Sequence, residues 1–345
     1  MNGTVIITGA NGSLALGFVE SFLASYPQHT LIATVRNPTP ERDPNTARLL
    51  ELIAKYPEAN ARVEGLDLGS LETVRSFAEN ISARISSREL PLISAIVCNA
   101  FTWSLETGQE CTSDGFEATF QVSHLAHYLL VLKLLGRMDP TSGRVIMLGS
   151  TAHYPEKPNP LSSLRAGIPD DIEELVKPTP DPPTLVHDRG FQRYGTAKLA
   201  NVIFTEDLNM RLKKDPDLSN ITALAMDPGG LVASRAQSGQ KPSVQRLFSV
   251  LNILMPVLKH VTTALRTNKD SGQDLVAVSL DPAFHGKRGY YIGQKVGSPS
   301  EASANADLQK RLWNACWEWA GLTPGETALQ NATPGQYGLY IYSLC

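Results

Sequence analysis

Short runs of consecutive apolar residues, rich in Val and Ile, alternate along the chain with longer stretches whose apolar positions recur every three or four residues. The runs Thr4–Thr8, Thr30–Val35, Ala61–Asp67, Leu92–Cys98, Arg144–Leu148, Ile221–Ala225 and Tyr290–Ile292 predict strands. The stretches Leu14–Ser25, Ser70–Ser86, Asp114–Leu135 and Gln192–Lys213 predict amphipathic helices, with Ser70 and Ser113 placed to cap two of them. Strands that are apolar on both faces belong in a sheet covered on both sides, the habit of parallel sheets. Helices between them supply the crossovers, and right-handed crossovers lead to a doubly wound α/β sheet of about seven strands.

Two segments depart from that rhythm. Residues 153–190 hold eight prolines and the acidic run Asp170, Asp171, Glu173, Glu174, and read as a long loop with room for one short helix. Residues 235–266 pass from polar (Gln237–Gln245) to apolar (Leu247–Leu258), and a mobile flap followed by a helix is expected there. The tail from Thr323 to Cys345 reads as peripheral.

Composition narrows the function classes. With 345 residues, 42% hydrophobic and 19% charged, the chain has material for a sizeable core. A net charge of -3 leaves no electrostatic footprint for nucleic acid. The cysteines Cys98, Cys111, Cys316 and Cys345 show no C-x-x-C spacing, and no metal site is expected. The longest apolar run, Leu247 to Leu258, is broken by Ser249, Asn252 and Pro256 and is too short to span a bilayer. No leader pattern precedes the first strand, so a cytoplasmic location is expected. Leu247–Leu258 reads as lid or core packing, with peripheral attachment to a membrane surface as the alternative.

Chemistry enters at two places. In T-V-I-I-T-G-A-N-G-S, Gly9 ends the first strand and Gly12 follows ahead of a helix. Glycines there let backbone approach a pyrophosphate at a helix N-terminus, as in a Rossmann-type nucleotide cradle. The second strand ends in A-T-V-R-N-P, with Arg36 where a carboxylate would favour a free ribose 2′-hydroxyl. An arginine there accommodates a 2′-phosphate, so the expected cofactor is NADP(H). Further on, Tyr194 and Lys198 stand four apart in F-Q-R-Y-G-T-A-K-L-A-N, and helical neighbours at that spacing share a face. An ammonium beside a phenol favours the phenolate, which predicts a lowered pKa for Tyr194 and a general acid or base near neutral pH. Tyr291 and Lys295 repeat the spacing, but Gly289, Gly293 and Gly297 make that stretch a strand, where such a pair points apart along the axis.

Taken in order, T-G-A-N-G-S-L-A, V-R-N, L-D-L-G-S-L-E-T-V-R, C-N-A, D-G-F-E-A-T-F-Q-V-S-H-L-A-H-Y, R-V-I-M-L-G-S, Y-G-T-A-K-L-A-N and D-P-G-G resemble the short-chain dehydrogenase/reductase family over roughly residues 1–295. The chain is similar within it to the retinol-dehydrogenase-like and protochlorophyllide-reductase-like branch, and L-W-N-A-C-W-E-W-A-G-L resembles fungal members that tailor secondary metabolites. The resemblance implies one catalytic domain over 1–295, with a substrate lid at 230–267, then a C-terminal helix and tail over 296–345. It implies that Ser150 hydrogen-bonds a substrate carbonyl, Tyr194 donates the proton, and Lys198 tunes Tyr194 and binds the nicotinamide ribose. Gly9, Asn11, Gly12, Ser13 and Leu14 would form the cradle with Arg36. Asp67 and Leu68 would contact the adenine, Asn99 and Ala100 the cofactor beyond the fourth strand, and Pro228, Gly229 and Ser234 the nicotinamide side. Homodimers or homotetramers through Asp114–Leu135 and Gln192–Lys213 are a further family habit.

Three departures from the family pattern involve four residues. Ser13 and Ala15 stand where glycines are usual, and Ser234 stands in for a displaced threonine. Ser123 replaces an Asn that helps Lys198 relay protons, leaving a slower relay, a route through His124 or His127, or none. The expected activity is NADPH-dependent interconversion of a ketone or aldehyde and its alcohol on a bulky lipophilic small molecule. A hydride-neutral isomerase, lyase or epimerase, or a non-catalytic NADP sensor, are the alternatives the same residues leave open.

Overall fold

The computed structural model describes residues 3–159, 161–236, 240, 242–258 and 265–334. Parts of the expected lid (237–239, 241 and 259–264) and of the tail (335–345) lie outside the described residues. The strands β1 (Thr4–Ile7), β2 (Thr30–Val35), β3 (Asn60–Gly65), β4 (Ile93–Cys98), β5 (Arg144–Leu148), β6 (Thr222–Asp227) and β9 (Gly289–Ile292) pair in parallel in the order β3-β2-β1-β4-β5-β6-β9. An eighth strand, β10 (Lys295–Val296), folds back antiparallel on β9. The order reverses between β1 and β4, and crevices at such a switch point are where open α/β sheets bind ligands.

The alternation of side chains along β1 splits the core in two. Ile6, with Ile32 and Ile96 on its neighbours, faces α3 (Leu71–Ser86), α5 (Ala126–Leu134), α6 (Val186–Lys214) and α9 (Ala306–Trp319). Val5 and Ile7 face the other way, toward α1 (Ser13–Ser25), α2 (Pro44–Ile53) and α8 (Asn268–Leu280). Neither α2 nor α8 is predicted above, and the reason is chemical. The α1–α8 contact is made by glycines: a Cβ on Gly272 would lie 2.3 Å from the Gly17 carbonyl carbon, and one on Gly17 would lie 2.3 Å from Asn268 O. Backbones that close leave no apolar stripe for periodicity to detect.

Boundaries shift where side chains choose other partners. Ser70 caps α3 as expected, accepting from Thr73 N. Ser113 caps nothing: its hydroxyl donates to Gly69 O, and Asp114 accepts from Leu71 N. The next helix therefore starts at α4 (Ala118–Phe120), where the Glu117 carboxylate accepts from Phe120 N (2.8 Å). It passes through a π-helical turn, Gln121–Leu125, before α5. The third strand ends at Gly65, leaving Asp67 and Leu68 in the turn beyond it.

Residues 153–190 carry 3-10 turns at Thr151–His153 and Ile172–Leu175 and then the start of α6, six residues earlier than expected. Arg193 on α6 fastens this loop through Asp181 (2.7 Å). The lid excursion is closed at its root by β7 (Gly230–Leu231) pairing in parallel with β8 (Leu265–Arg266). Within it α7 (Pro242–Leu258) buries Met255 and exposes Leu247, Val250, Ile253 and Leu254.

Of the tail read as peripheral from Thr323, the described part buries Leu329 and Ala332, and the C-terminal helix and turn before it bury Trp313, Cys316 and Leu322. Trp313 packs on Tyr128 (5.3 Å) and Phe204 (5.9 Å), and its indole N–H donates to Ala332 O. Tyr128 and Phe204 lie on α5 and α6, so α9 covers the helices that the resemblance offers for oligomer contacts.

Candidate active site

The C-terminal ends of β1, β4, β5 and β6 gather the residues singled out above. Thr8 is the pivot of the cradle. Its hydroxyl oxygen accepts from Asn99 N and Ala100 N (both 3.0 Å), while Asn99 Nδ2 donates to Thr8 O (2.8 Å) and Gly9 O (3.2 Å). Gly9 has φ +63, and a Cβ there would meet Ala100 at 3.0 Å, so the turn leaves no room for a side chain. Gly12 is the N-cap of α1 and no side chain caps that end, so the first-turn N–H groups have no side-chain acceptor. This is the arrangement that suits a pyrophosphate. Ser13 opens α1 with its hydroxyl accepting from Arg235 N (3.0 Å), and Leu14 is buried behind it.

Around the cradle, Asn11 is held by Asp43 (2.8 Å) and Thr46 (3.1 Å) of the α2 start. Arg36 is exposed at the end of β2. Asp67 accepts from Gly69 N, and Leu68 O accepts from Gln121. Across the crevice Gly229 has φ +79, Pro228 O accepts from Ser271 Oγ (2.7 Å), and Ser234 caps the local turn at Ala236 N.

Ser150, Tyr194 and Lys198, the expected acid–base set, lie at the same end of the sheet. Ser150 leaves β5 and caps the following 3-10 turn, accepting from Ala152 N. Tyr194 and Lys198 share a face of α6. Tyr194 sits in an aromatic enclosure of Trp103 (5.0 Å), Phe101 (5.4 Å) and Phe191 (5.8 Å). Lys198 is buried, donates to Leu148 O (3.1 Å), and lies 5.6 Å from the Tyr194 ring centroid.

The expected lowering of Tyr194 is not found in this conformation. Burial pushes its phenol up to about 12, against the pull of the Ser150 hydroxyl and with the added push of the Asp227 carboxylate. Burial likewise brings Lys198 down to about 8, opposed by Asp227 and Cys98. The ammonium faces the ring rather than the hydroxyl, so desolvation decides. At neutral pH the pair is a protonated phenol beside an ammonium, a set prepared to give a proton.

Ser123 lies in the π-helical turn, fully buried, and its hydroxyl has no hydrogen-bond partner among the described residues. Two histidines flank it. His127 lies 2.8 Å from the Thr8 hydroxyl through Nε2 and 3.2 Å from Ser123 O through Nδ1. A carbonyl only accepts, so Nδ1 carries the proton and Nε2 accepts from Thr8. By the same logic His124 Nδ1 donates to Asn201 Oδ1 (2.9 Å), and Asn201 Nδ2 donates to Leu148 O, the oxygen Lys198 also uses. Burial pushes His124 down to about 4 and His127 to about 3, so both are neutral at pH 7. Their imidazole C–H signals are expected to stay at neutral-ring shifts from pH 7.5 to 5, and a midpoint near the usual 6.5 for either would contradict this environment.

Sequence reasoning missed Phe101, Trp103, Phe191, Asn201, Asp227 and Arg235. Asn201 and Asp227 stood inside the quoted motifs without a role. Phe101 and Trp103 lie just after C-N-A, and Phe191 opens F-Q-R-Y, positions whose meaning depends on the segments that face them. Tyr291 and Lys295 fall on β9 and β10, and Tyr291 is buried against Phe284 (5.5 Å), as the strand reading requires. Among the described residues no cluster of His, Cys, Asp or Glu has the makings of a metal site, and no helix is long and apolar enough to cross a membrane.

Comparison with known proteins agrees with this geometry. Residues 236–329 match a model described as the AcuH dehydrogenase domain. The short-chain dehydrogenase iccH of Talaromyces variabilis is 31% identical, with the alignment covering 95% of this chain and 98% of the relative. The chloroplastic protochlorophyllide reductase of Chlamydomonas reinhardtii is 28% identical over 93% of this chain and 78% of its own. Among solved structures, the NADPH-bound carbonyl reductase from chicken fatty liver shares the fold, with a TM-score of 0.55 at 18% identity over 86% of this chain and 100% of its own.

Proposed function

The chain belongs to the short-chain dehydrogenase/reductase family, and from that membership we propose that it is an NADPH-dependent reductase interconverting a ketone or aldehyde and its alcohol. The substrate in this reading is a bulky lipophilic small molecule, of the kind tailored in secondary metabolism. The observation that carries it is the convergence of Ser150, Tyr194 and Lys198 beneath Phe101 and Trp103, beside an uncapped helix N-terminus. Such sites are mostly apolar with a few convergent polar groups.

When bound, NADP(H) supplies or takes up the hydride. The rest falls to the protein. Gly9, Asn11, Gly12, Ser13 and Leu14 would hold the pyrophosphate, Arg36 would meet the 2′-phosphate, and Asp67 and Leu68 would flank the adenine. Asn99 and Ala100 would line the cofactor beyond the fourth strand, and Pro228, Gly229 and Ser234 the nicotinamide side, with Lys198 on the ribose. Tyr194 gives its proton to the carbonyl oxygen while the Ser150 hydroxyl donates to the same atom, so charge developing there meets two donors. Burial raises this phenol to about 12, so it is protonated at neutral pH, and it is a weaker acid there than a group tuned near that pH. Ser123 favours a second reading, a hydride-neutral isomerase or lyase, because its unpartnered hydroxyl replaces the relay Asn of the family.

A cytoplasmic location is part of the proposal, with peripheral attachment to a membrane surface through α7 as the alternative. The cover of α9 over Tyr128 and Phe204 supports either a monomer or association through another face.

Titration with NADPH and NADH, followed by a panel of lipophilic ketones, tests the proposal. NADPH is expected to bind more tightly. Arg36→Glu is expected to weaken NADPH at least about tenfold and NADH little, the scale of one charge-assisted hydrogen bond. NADPH binding without oxidation on any ketone would move the weight to the isomerase reading. Equal binding of both nucleotides by the native chain would remove Arg36 from the cofactor assignment.

A further inference from the structure

Asp227 closes β6 immediately before Pro228, and only 2% of it is exposed. Three elements converge on its carboxylate. Gly229 N donates to Oδ1 (2.8 Å), the Tyr290 hydroxyl of β9 donates to Oδ2 (3.2 Å), and the backbone of Thr151, next to Ser150, donates as well. One buried carboxylate thus ties together the turn that presents Ser150, the turn that carries Pro228 and Gly229, and the edge of the sheet. Buried carboxylates are costly unless they are hydrogen-bonded and near an opposite charge. The buried cation near this one is Lys198: its ammonium donates to Leu148 O (3.1 Å), and Leu148 pairs with Met226, the residue before Asp227.

We infer that Asp227 is a positioning residue for the reaction: it fixes the Ser150 and Pro228 turns and serves as the counter-charge that keeps buried Lys198 protonated. This rests on the reductase reading for its effect on turnover, but not for its effect on Lys198. The ionisable groups facing Asp227 are Lys198 and Tyr194 of α6, Tyr290 of β9, and Tyr154 beyond the 3-10 turn. Lys198 is further faced by Cys98, His124 and His127. Cys98 is pushed up by burial and both imidazoles are pushed down, so all three are neutral near pH 7; burial also pushes the Asp227 carboxyl up, opposed by the hydrogen bonds from Gly229, Tyr290 and Thr151 and by Lys198 itself.

The sign of the effect does not depend on which group limits the rate. Asp227 raises both Lys198 and Tyr194. Reduction needs Lys198 charged and Tyr194 protonated, so it fails on the alkaline side when either loses its proton. Removing the negative charge lowers both, and the alkaline limb of the rate moves to lower pH.

The test is the Asp227→Asn variant, which keeps an acceptor for Gly229 N. The Lys198 Cε signal of protein labelled with ¹³C-lysine, assigned with Lys198→Arg, is followed against pH with and without the substitution. The pH profile of ketone reduction is recorded in parallel. Asp227→Asn is expected to move the Lys198 midpoint and the alkaline limb down together by about one pH unit or more. Tyr290→Phe, which leaves the charge in place, is expected to leave both within a few tenths. If Asp227→Asn does not accumulate as folded protein, Asp227→Ser takes its place in the same titration. An unchanged Lys198 midpoint in the charge-removing variant overturns the inference. If the native chain reduces no ketone, the reductase reading fails while the Lys198 titration still decides the role of Asp227.

Discussion

Tyr194→Phe will lower ketone reduction by roughly a thousandfold, the middle of the range a positioned proton donor contributes, while NADPH affinity stays within a few-fold. The substitution removes one oxygen from a ring already enclosed by Trp103, Phe101 and Phe191, so Phe fills the same space and the fold is unaffected. Ser150 remains to orient a carbonyl but has no raised, protonated phenol beside it. The control lies within the same chain. Tyr291→Phe alters the other Tyr–Lys spacing, on a strand whose ring packs on Phe284, and is expected to leave turnover unchanged. Retention of more than about a tenth of the rate in Tyr194→Phe would remove the residue from the proton transfer.

Arg211→Ala will cost about 3–5 kcal/mol of stability, the usual penalty for stranding one partner of a buried ion pair. Arg211 is 3% exposed and meets the nearly inaccessible Asp207 one turn earlier on α6 at 2.9 Å. Its guanidinium also lies 3.6 Å from the Trp313 ring centroid and donates to Asn331 O. Truncation leaves a buried carboxylate and a hole beneath α9 together. Urea unfolding of the variant against the native chain measures the loss. A change below about 1 kcal/mol would mean that the C-terminal segment contributes little to the fold.

The fold was legible in the sequence where burial is two-sided, and less so where contacts are made by small or polar residues. The β1, β2, β4 and β5 runs are largely apolar, with Thr34 and Ser94 the polar residues inside β2 and β4, and appear almost as read. Two helices escaped for related reasons. α8 meets α1 through Gly272 and Gly17, residues that carry no hydrophobic signal, and α2 is capped by Asp43 with few buried side chains. Of the site, Tyr194, Lys198, Ser150 and the cradle glycines were legible because their chemistry is tied to local spacing. The aromatic enclosure, Asn201 and Asp227 were not, since each acquires its role from a partner on a distant segment: Phe101 from α6, Asn201 from His124, Asp227 from Tyr290. The shift of Tyr194 was read in the wrong direction for a similar reason. A helical spacing reports the neighbour, whereas the dielectric around both residues is set by the folded crevice.

The glycine contact between α1 and α8 bears on how the crevice opens. β8 brings the chain back from the lid, and α8 starts two residues later with Asn268 O against Gly17. The same α1 presents its N-terminus to the nucleotide. One bearing surface thus clamps the returning end of the lid to the helix under the phosphates, and the paired β7 and β8 clamp the departing end to it. The excursion is pinned at both feet, and the element that anchors its return is the one whose N-terminus forms the cradle.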